Sequence, residues 1–261
     1  FENYPFWHAL FSACGIRVQL SAPSSNALYQ LGAGQIMSEN LCFPAKLVSG
    51  HIMDLVGAGV ERIFYPMVFY EPREFIDDAN SYNCPIVSGY PDVVRSAVDP
   101  ERRSAIPLDT PIVTFRDTDL LKKACRQYLS GLGIASGTIE GAIQKAQAAQ
   151  AEYKQQVVAM GAELIAKDRH GDCPLIMLVG RPYHIDPLIN HGISELLTDF
   201  GVDVLTEDSI PTQGAALENA HIVPQWEFLN RYFHAARWVG RQENAEMVLL
   251  NSFGCGPDAF I

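Results

Sequence analysis

An α/β fold of two lobes with mainly parallel sheets, joined by a long helix, is what this sequence predicts, and three observations predict it. Short apolar or alternating runs suited to strands alternate with stretches of helical apolar spacing, the pattern of strand–helix–strand units. One stretch, residues 136–168, carries apolar residues at spacings of three and four over about eight turns. The chain has 261 residues, 48% of them apolar, enough for one large core or two of ordinary size.

Candidate strands in chain order are residues 17–20, 62–65, 86–88, 112–115, 175–179, 202–206 and 247–250. Tyr4, Phe6 and Trp7 read as helix-core aromatics at the start of the chain. Leu47, His51, Ile52, Leu55 and Val56 share one face of a helix that stops at the Gly57/Gly59 pair. Leu188, Ile189, Ile193, Leu196 and Leu197 do the same before Phe200-Gly201. In the long helix, Ile139, Ala142, Ala146, Ala149, Tyr153, Val157, Met160 and Leu164 form the stripe. It divides an N-terminal lobe (1–135) from a C-terminal lobe (170–261), itself spanning 136–169. Strands alternating with helices in each half suit Rossmann-like or flavodoxin-like lobes. The stripe can brace the two lobes or meet a partner chain, a second copy included.

Charge narrows the function classes. Lys plus Arg total 19 against 30 Asp plus Glu, a formal charge of -11, so phosphate backbones and anionic membrane surfaces are repelled. No nucleic-acid partner is expected. The longest apolar run, 174–180, is far short of the ~20 residues a spanning helix needs. No basic-then-apolar signal segment opens the sequence, so the expectation is a soluble cytoplasmic protein with no membrane partner. The first residue is not Met and the last two follow a turn directly, so the chain reads as an excised piece with a truncated C-terminal lobe.

The six cysteines are scattered without a C-x-x-C pair, which favours thiols or metal ligands over a disulfide framework. Cys42, Cys84 and Cys255 are each followed within two residues by Pro, which places each on a loop. Cys42 precedes a helix whose first amides, with Lys46, favour its thiolate. The glycines flanking Cys255 allow a bulky group to approach the backbone. Cys14 and Cys125 fall in helical segments, while Cys173, also followed by Pro, is a substitute ligand. On spacing alone, simple packing of these thiols is the better reading, and the paired spacings of zinc modules are absent.

Five segments resemble a known family. Phe1-Glu2-Asn3-Tyr4-Pro5-Phe6-Trp7, Leu41-Cys42-Phe43-Pro44-Ala45-Lys46, Tyr82-Asn83-Cys84-Pro85-Ile86-Val87, Gly180-Arg181-Pro182-Tyr183-His184 and Asn251-Ser252-Phe253-Gly254-Cys255-Gly256-Pro257-Asp258 look like the uncharacterised domain of the CoA enzyme activase-related proteins. That family is distantly similar to 2-hydroxyacyl-CoA dehydratases, served by ATP-dependent activators, and to double-cubane cluster proteins. The resemblance implies an oxygen-sensitive iron-sulfur site, with Cys42, Cys84 and Cys255 holding a 4Fe-4S or double-cubane 8Fe-9S cluster and one iron left open. It implies an electron-accepting, dehydratase-like or reductase-like component, an activase ATPase partner in the same or another polypeptide, and an acyl-CoA or other small substrate. No G-x-x-x-x-G-K-[ST] loop is present, so ATP belongs to that partner or to a missing region. The reading from another class is a metal-free α/β regulatory or interaction module that docks onto the activase.

Arg181, His184 and His191 follow the strand at 175–179 and suit binding an anionic group or moving a proton there, against a plain strand-end turn. Glu207-Asp208 reads as a solvated acidic pair. Gly32-Ala33-Gly34 lacks the third glycine of a dinucleotide fingerprint, and no G-x-S-x-G elbow occurs.

Overall fold

The computed structural model describes residues 2–35, 41–168, 174–212, 214–217, 225–252, 255 and 258. It is a mixed α/β fold with small parallel sheets and helices, one of them long. The chain opens with α1 (Tyr4–Ala13), started by Pro5 in its first turn, where a missing N–H costs nothing. Residues 17–20, expected as a strand, are irregular; Val18 packs against core there without joining a sheet. Next come α2 (Asn26–Gly32), capped by the Ser25 hydroxyl accepting from the Leu28 amide, and α3 (Phe43–Gly57). These two helices touch backbone to backbone: a Cβ on Gly32 would collide with the Gly50 nitrogen, and one on Gly50 with the Leu28 carbonyl. Only glycine fits at both crossing positions.

The strands β1 (Ile63–Phe64) and β2 (Met67–Tyr70) are followed by α4 (Pro85–Ala97) and α5 (Pro100–Ser104), then β3 (Leu108–Asp109) and β4 (Ile112–Thr114). Ile63 pairs with Leu108 and Met67 with Ile112, the same offset of 45 residues in both pairs, so β1–β3 and β2–β4 form one parallel ladder. Pro66 lies opposite Pro111 in that register, and two residues without an N–H divide it. Tyr65 and Met67 donate across the division to Asp109 and Pro111 at 2.8 and 2.9 Å. The register slips between Val68 and Tyr70, leaving Phe69 as the extra residue of a bulge. Residues 86–88, expected as a strand, lie in α4 instead: Pro85 begins that helix, and the apolar run is one turn of it.

Alternation along the ladder sends Phe64, Val68 and Val113 to one face and Ile63, Tyr65 and Leu108 to the other. On the first face pack α1, α6 (Thr118–Gly131) and the first turns of α7 (Ser136–Asp168); on the second pack α3 and α4. Helices on both faces are what a parallel βαβ unit requires.

Farther along, β5 (Leu175–Val179), α8 (Ile193–Asp199), β6 (Asp203–Thr206), α9 (Glu227–Val239) and β7 (Ala245–Leu249) form a second sheet, parallel throughout, in the order β6-β5-β7. The central strand β5 is buried along its length, which explains its unbroken apolar run. Leu188 and Ile189 fall before α8, in a turn held by Asp186. Helix α7 runs between the sheets: Ile139, Ala142, Ile143 and Ala146 belong to the first core, and Leu164 and Ile165 pack against β5 and α9. Gly161 lets α7 meet the backbone of Ser209, which a Cβ would strike.

Among the described residues, no helix is long and apolar enough to cross a membrane.

Candidate functional site

Three regions carry the polar and accessible chemistry, and two of them join pairs of the sequence segments singled out above. The first pair joins the start of the chain to residues 82–87. Glu71, at the end of β2, is buried and accepts from Asn3 Nδ2 at 3.0 Å and from Asn83 Nδ2 at 2.7 Å. Burial raises its carboxyl pKa, and the two amides oppose the rise. Beside it, Arg231 of α9, itself buried, binds Glu2 at 2.6 Å and Glu74 at 2.9 Å, with Lys154 of α7 on Glu74 at 2.8 Å. These cations hold Glu74 at about 2 against the opposing effect of burial.

The same neighbourhood contains carboxyls that no ion pair holds and that burial keeps protonated. Burial lifts Glu207 and Glu227 each to about 8, and lifts Asp208 as well. Glu207 is 7% exposed, so the pair expected as solvated lies inside. Among the described residues, neither carboxyl oxygen of Glu227 has a hydrogen-bond partner.

The second pairing forms at the carboxyl edge of the β6-β5-β7 sheet, where α/β proteins build sites. Gly180 leaves room for the His184 ring to fold back, and the Arg181 amide donates to His184 Nδ1 at 2.8 Å. His184 is therefore neutral with its proton on Nε2, and burial depresses its pKa to about 4. The Arg181 guanidinium donates to Asp258 through Nε at 3.1 Å and through a terminal nitrogen at 2.5 Å. That cation also sits over the rings of Trp226 and Tyr232 at 5.7 and 5.5 Å. Arg181 and Asp258 are 5% and 1% exposed, so the pair is spent on each other. The adjoining cavity, lined by Glu2, Arg181, His184, Glu207 and Asp208, measures about 30 Å³, room for about one water. His191 is exposed at φ 56° and does not line it.

The cysteines complete the pairings and correct an expectation. Cys42 and Cys84 occupy the N-caps of α3 and α4 and are near enough that each thiolate would repel the other. The Ala45 amide and Lys46 do favour the Cys42 thiolate, but burial outweighs them and the thiol pKa is raised. Cys255 instead lies 3.6 Å from the Arg181 guanidinium, beside Asp258, and its pKa is also raised by burial. Among the described residues, no group of three or more His, Cys, Asp or Glu is placed to hold a metal ion. The expected 4Fe-4S or 8Fe-9S cluster on Cys42, Cys84 and Cys255 is thereby overturned, together with the iron-sulfur electron-transfer role built on it. Two of these thiols answer to each other and the third to an arginine–aspartate pair. Cys125 is buried in α6, Cys14 closes α1, and Cys173 lies outside the described residues.

The third region was not singled out in the sequence. An open groove of about 690 Å³ runs between β2, β4 and α6. Phe69, Ile112 and Leu120 line it at 37%, 66% and 53% exposure, unusually high for large apolar side chains gathered at one place. Arg116, Asp117 and Lys123 are its charged residues. Its signal in the sequence is Leu120 beside Leu121: Leu121, Cys125 and Leu129 form the buried stripe of α6, and Leu120, Ala124 and Gln127 form a second stripe facing the groove.

Compared with known proteins, residues 1–210 match the family described as the CoA enzyme activase uncharacterised domain (DUF2229). No curated protein and no solved structure matches the chain.

Proposed function

Since the chain belongs to the CoA enzyme activase uncharacterised-domain family, we propose that it is an α/β interaction module that docks the ATPase of an activase system, carried on the same or a separate polypeptide. The observation that carries this reading is the groove between β2, β4 and α6. An exposed apolar centre with a charged rim is the anatomy of a protein-binding patch. The groove carries two cations, Arg116 and Lys123, against one carboxylate, Asp117, a net positive balance on a chain whose formal charge is -11. An occupant with apolar side chains and an acidic border complements it, whereas a cationic partner has the rest of the surface to choose from.

In this reading the fold is two α/β lobes, residues 1–135 and 170–261, held at a fixed spacing by the helix between them. The Arg181–Asp258 pair then serves as an internal tie of the second lobe. His184 is buried beside a cavity for about one water, so His191 is left as the exposed group near that edge able to contact a small ligand, and acyl-CoA remains a substrate class suggested by the family alone.

The test is a binding measurement between the whole chain and the activase ATPase module, with and without ATP. Ile112→Asp combined with Leu120→Asp is expected to weaken binding at least tenfold, about 1.4 kcal/mol or more. Unchanged affinity in the double variant overturns the groove as the docking surface.

A further inference from the structure

A further polar constellation joins the connection between α1 and α2, where it crosses α3, to the turn after β5. Ser21 Oγ is 2.7 Å from His51 Nδ1, and Ser24 Oγ is 3.1 Å from His51 Nε2. Ser24 in turn donates to Asp186 Oδ2, from the turn after β5. The other oxygen of Asp186 accepts from the Leu188 and Ile189 amides at 2.9 and 3.2 Å.

The direction of every hydrogen bond in this chain is forced. Asp186 accepts from all three of its partners. The single hydroxyl proton of Ser24 goes to it, so toward His51 that oxygen can only accept. His51 therefore carries its proton on Nε2 and leaves Nδ1 bare. Nδ1 must then accept, and the donor facing it is the Ser21 hydroxyl. Burial lowers the His51 pKa and keeps the ring neutral, while the carboxylates facing it, Asp186 and Asp54 of its own helix, act the other way. Asp54 is engaged by the Ala22 amide at 2.8 Å. Unlike Ser24, which is 8% exposed, Ser21 is only half-buried, and its neighbours Leu20 and Ala22 are exposed.

We propose that Ser21 is a base-assisted nucleophile that accepts acyl groups from activated carboxylic esters or thioesters, with His51 as its base. Ser24 and Asp186 are positioning residues that fix the tautomer, the part the aspartate plays in a serine–histidine–aspartate triad. Ser21 Oγ attacks the carbonyl carbon as its proton passes to His51 Nδ1. The tetrahedral intermediate collapses, the bond to the alcohol or thiol breaks, and the leaving group takes that proton. Water, deprotonated by the same nitrogen, then attacks the Ser21 ester, releasing the carboxylic acid and restoring the hydroxyl. This site is independent of the docking reading and stands or falls without it.

The experiment treats the whole chain with a fluorophosphonate probe and with p-nitrophenyl acetate, and locates the adduct by peptide mass spectrometry. An adduct on Ser21 is expected, absent in Ser21→Ala and formed at least 100-fold more slowly in His51→Gln. Ser24→Ala is expected to slow labelling and to move its pH profile, since the tautomer is no longer fixed. No adduct on Ser21 in the unaltered chain, or an equal rate in His51→Gln, overturns the proposal. Should His51→Gln fail to fold, ¹⁵N NMR of the unaltered chain decides: a bare Nδ1 with Nε2–H supports it, and the opposite tautomer overturns it.

Discussion

The two parallel β systems of this molecule treat their accessible edges in opposite ways. The ladder of β1–β3 and β2–β4 is apolar on both faces, and beside α6 it leaves Phe69, Ile112 and Leu120 open to solvent. The β6-β5-β7 sheet instead closes its carboxyl edge with polar groups of its own: Arg181 on Asp258, Glu2 held by Arg231 of the adjoining network, and Glu207 kept protonated by burial. The position at which an α/β sheet ordinarily builds a ligand site is here closed by internal ion pairs, with room for about one water. Availability for a partner thus follows from which polar and apolar groups are already satisfied, and not from position in the fold alone.

The largest expected effect breaks the closed edge. Arg231→Ala leaves Glu2 without its cation and Glu74 with Lys154 alone, and is expected to cost about 3–5 kcal/mol in denaturant unfolding. A cost below about 1 kcal/mol would mean that this network is incidental to the fold.

A smaller effect comes from proton linkage at the same edge. Glu207 and Glu227 have folded pKa values of about 8, above the unfolded value of 4.5, so the folded chain holds extra protons between those limits. Stability from these groups is fully present below about pH 4.5 and is lost as pH rises through about 8. Their contribution is opposed on the acid side by His184, whose folded value of about 4 lies below 6.5: its share is lost as pH falls from 6.5 toward 4. Glu227→Gln is expected to flatten the alkaline fall and to add roughly 1–3 kcal/mol at pH 8.5, read by thermal or urea unfolding across pH. An unaltered pH profile would show that Glu227 is ionised and partnered in solution.

The smallest effect on stability belongs to the open region. Ile112→Asp and Leu120→Asp replace exposed side chains and are expected to change unfolding free energy by less than about 1 kcal/mol each, while partner affinity falls tenfold or more. Large destabilisation in both would identify the groove as core and remove the contrast between the two edges.

Periodicity made much of the architecture legible. The 136–168 helix, the buried strand at 175–179 and the strands near 62–65, 112–115, 202–206 and 247–250 follow from spacing that tertiary packing respects. Residues 86–88 misled because Pro85 can begin a helix as readily as it can precede a strand, and three apolar residues do not separate the two periods. Residues 17–20 misled because alternation without a pairing partner makes no strand. The site was less legible. Segment order located Cys42, Cys84 and Cys255, but nothing in a sequence says that the first two face each other from the starts of neighbouring helices while the third adjoins Arg181. Glu207-Asp208 looked solvated because the groups that cover it, among them Glu2 and Tyr153, are distant in sequence. The Leu120-Leu121 pair was the available sign of the groove, since two adjacent leucines cannot both face one core.

The most direct measurement is hydrogen exchange of the whole chain alone and saturated with the activase ATPase module. Protection is expected to rise in residues 67–70 and 112–127, which form the groove, and to change little in 180–186. Unchanged exchange around the groove, with new protection confined to the carboxyl edge of the β6-β5-β7 sheet, would contradict the account.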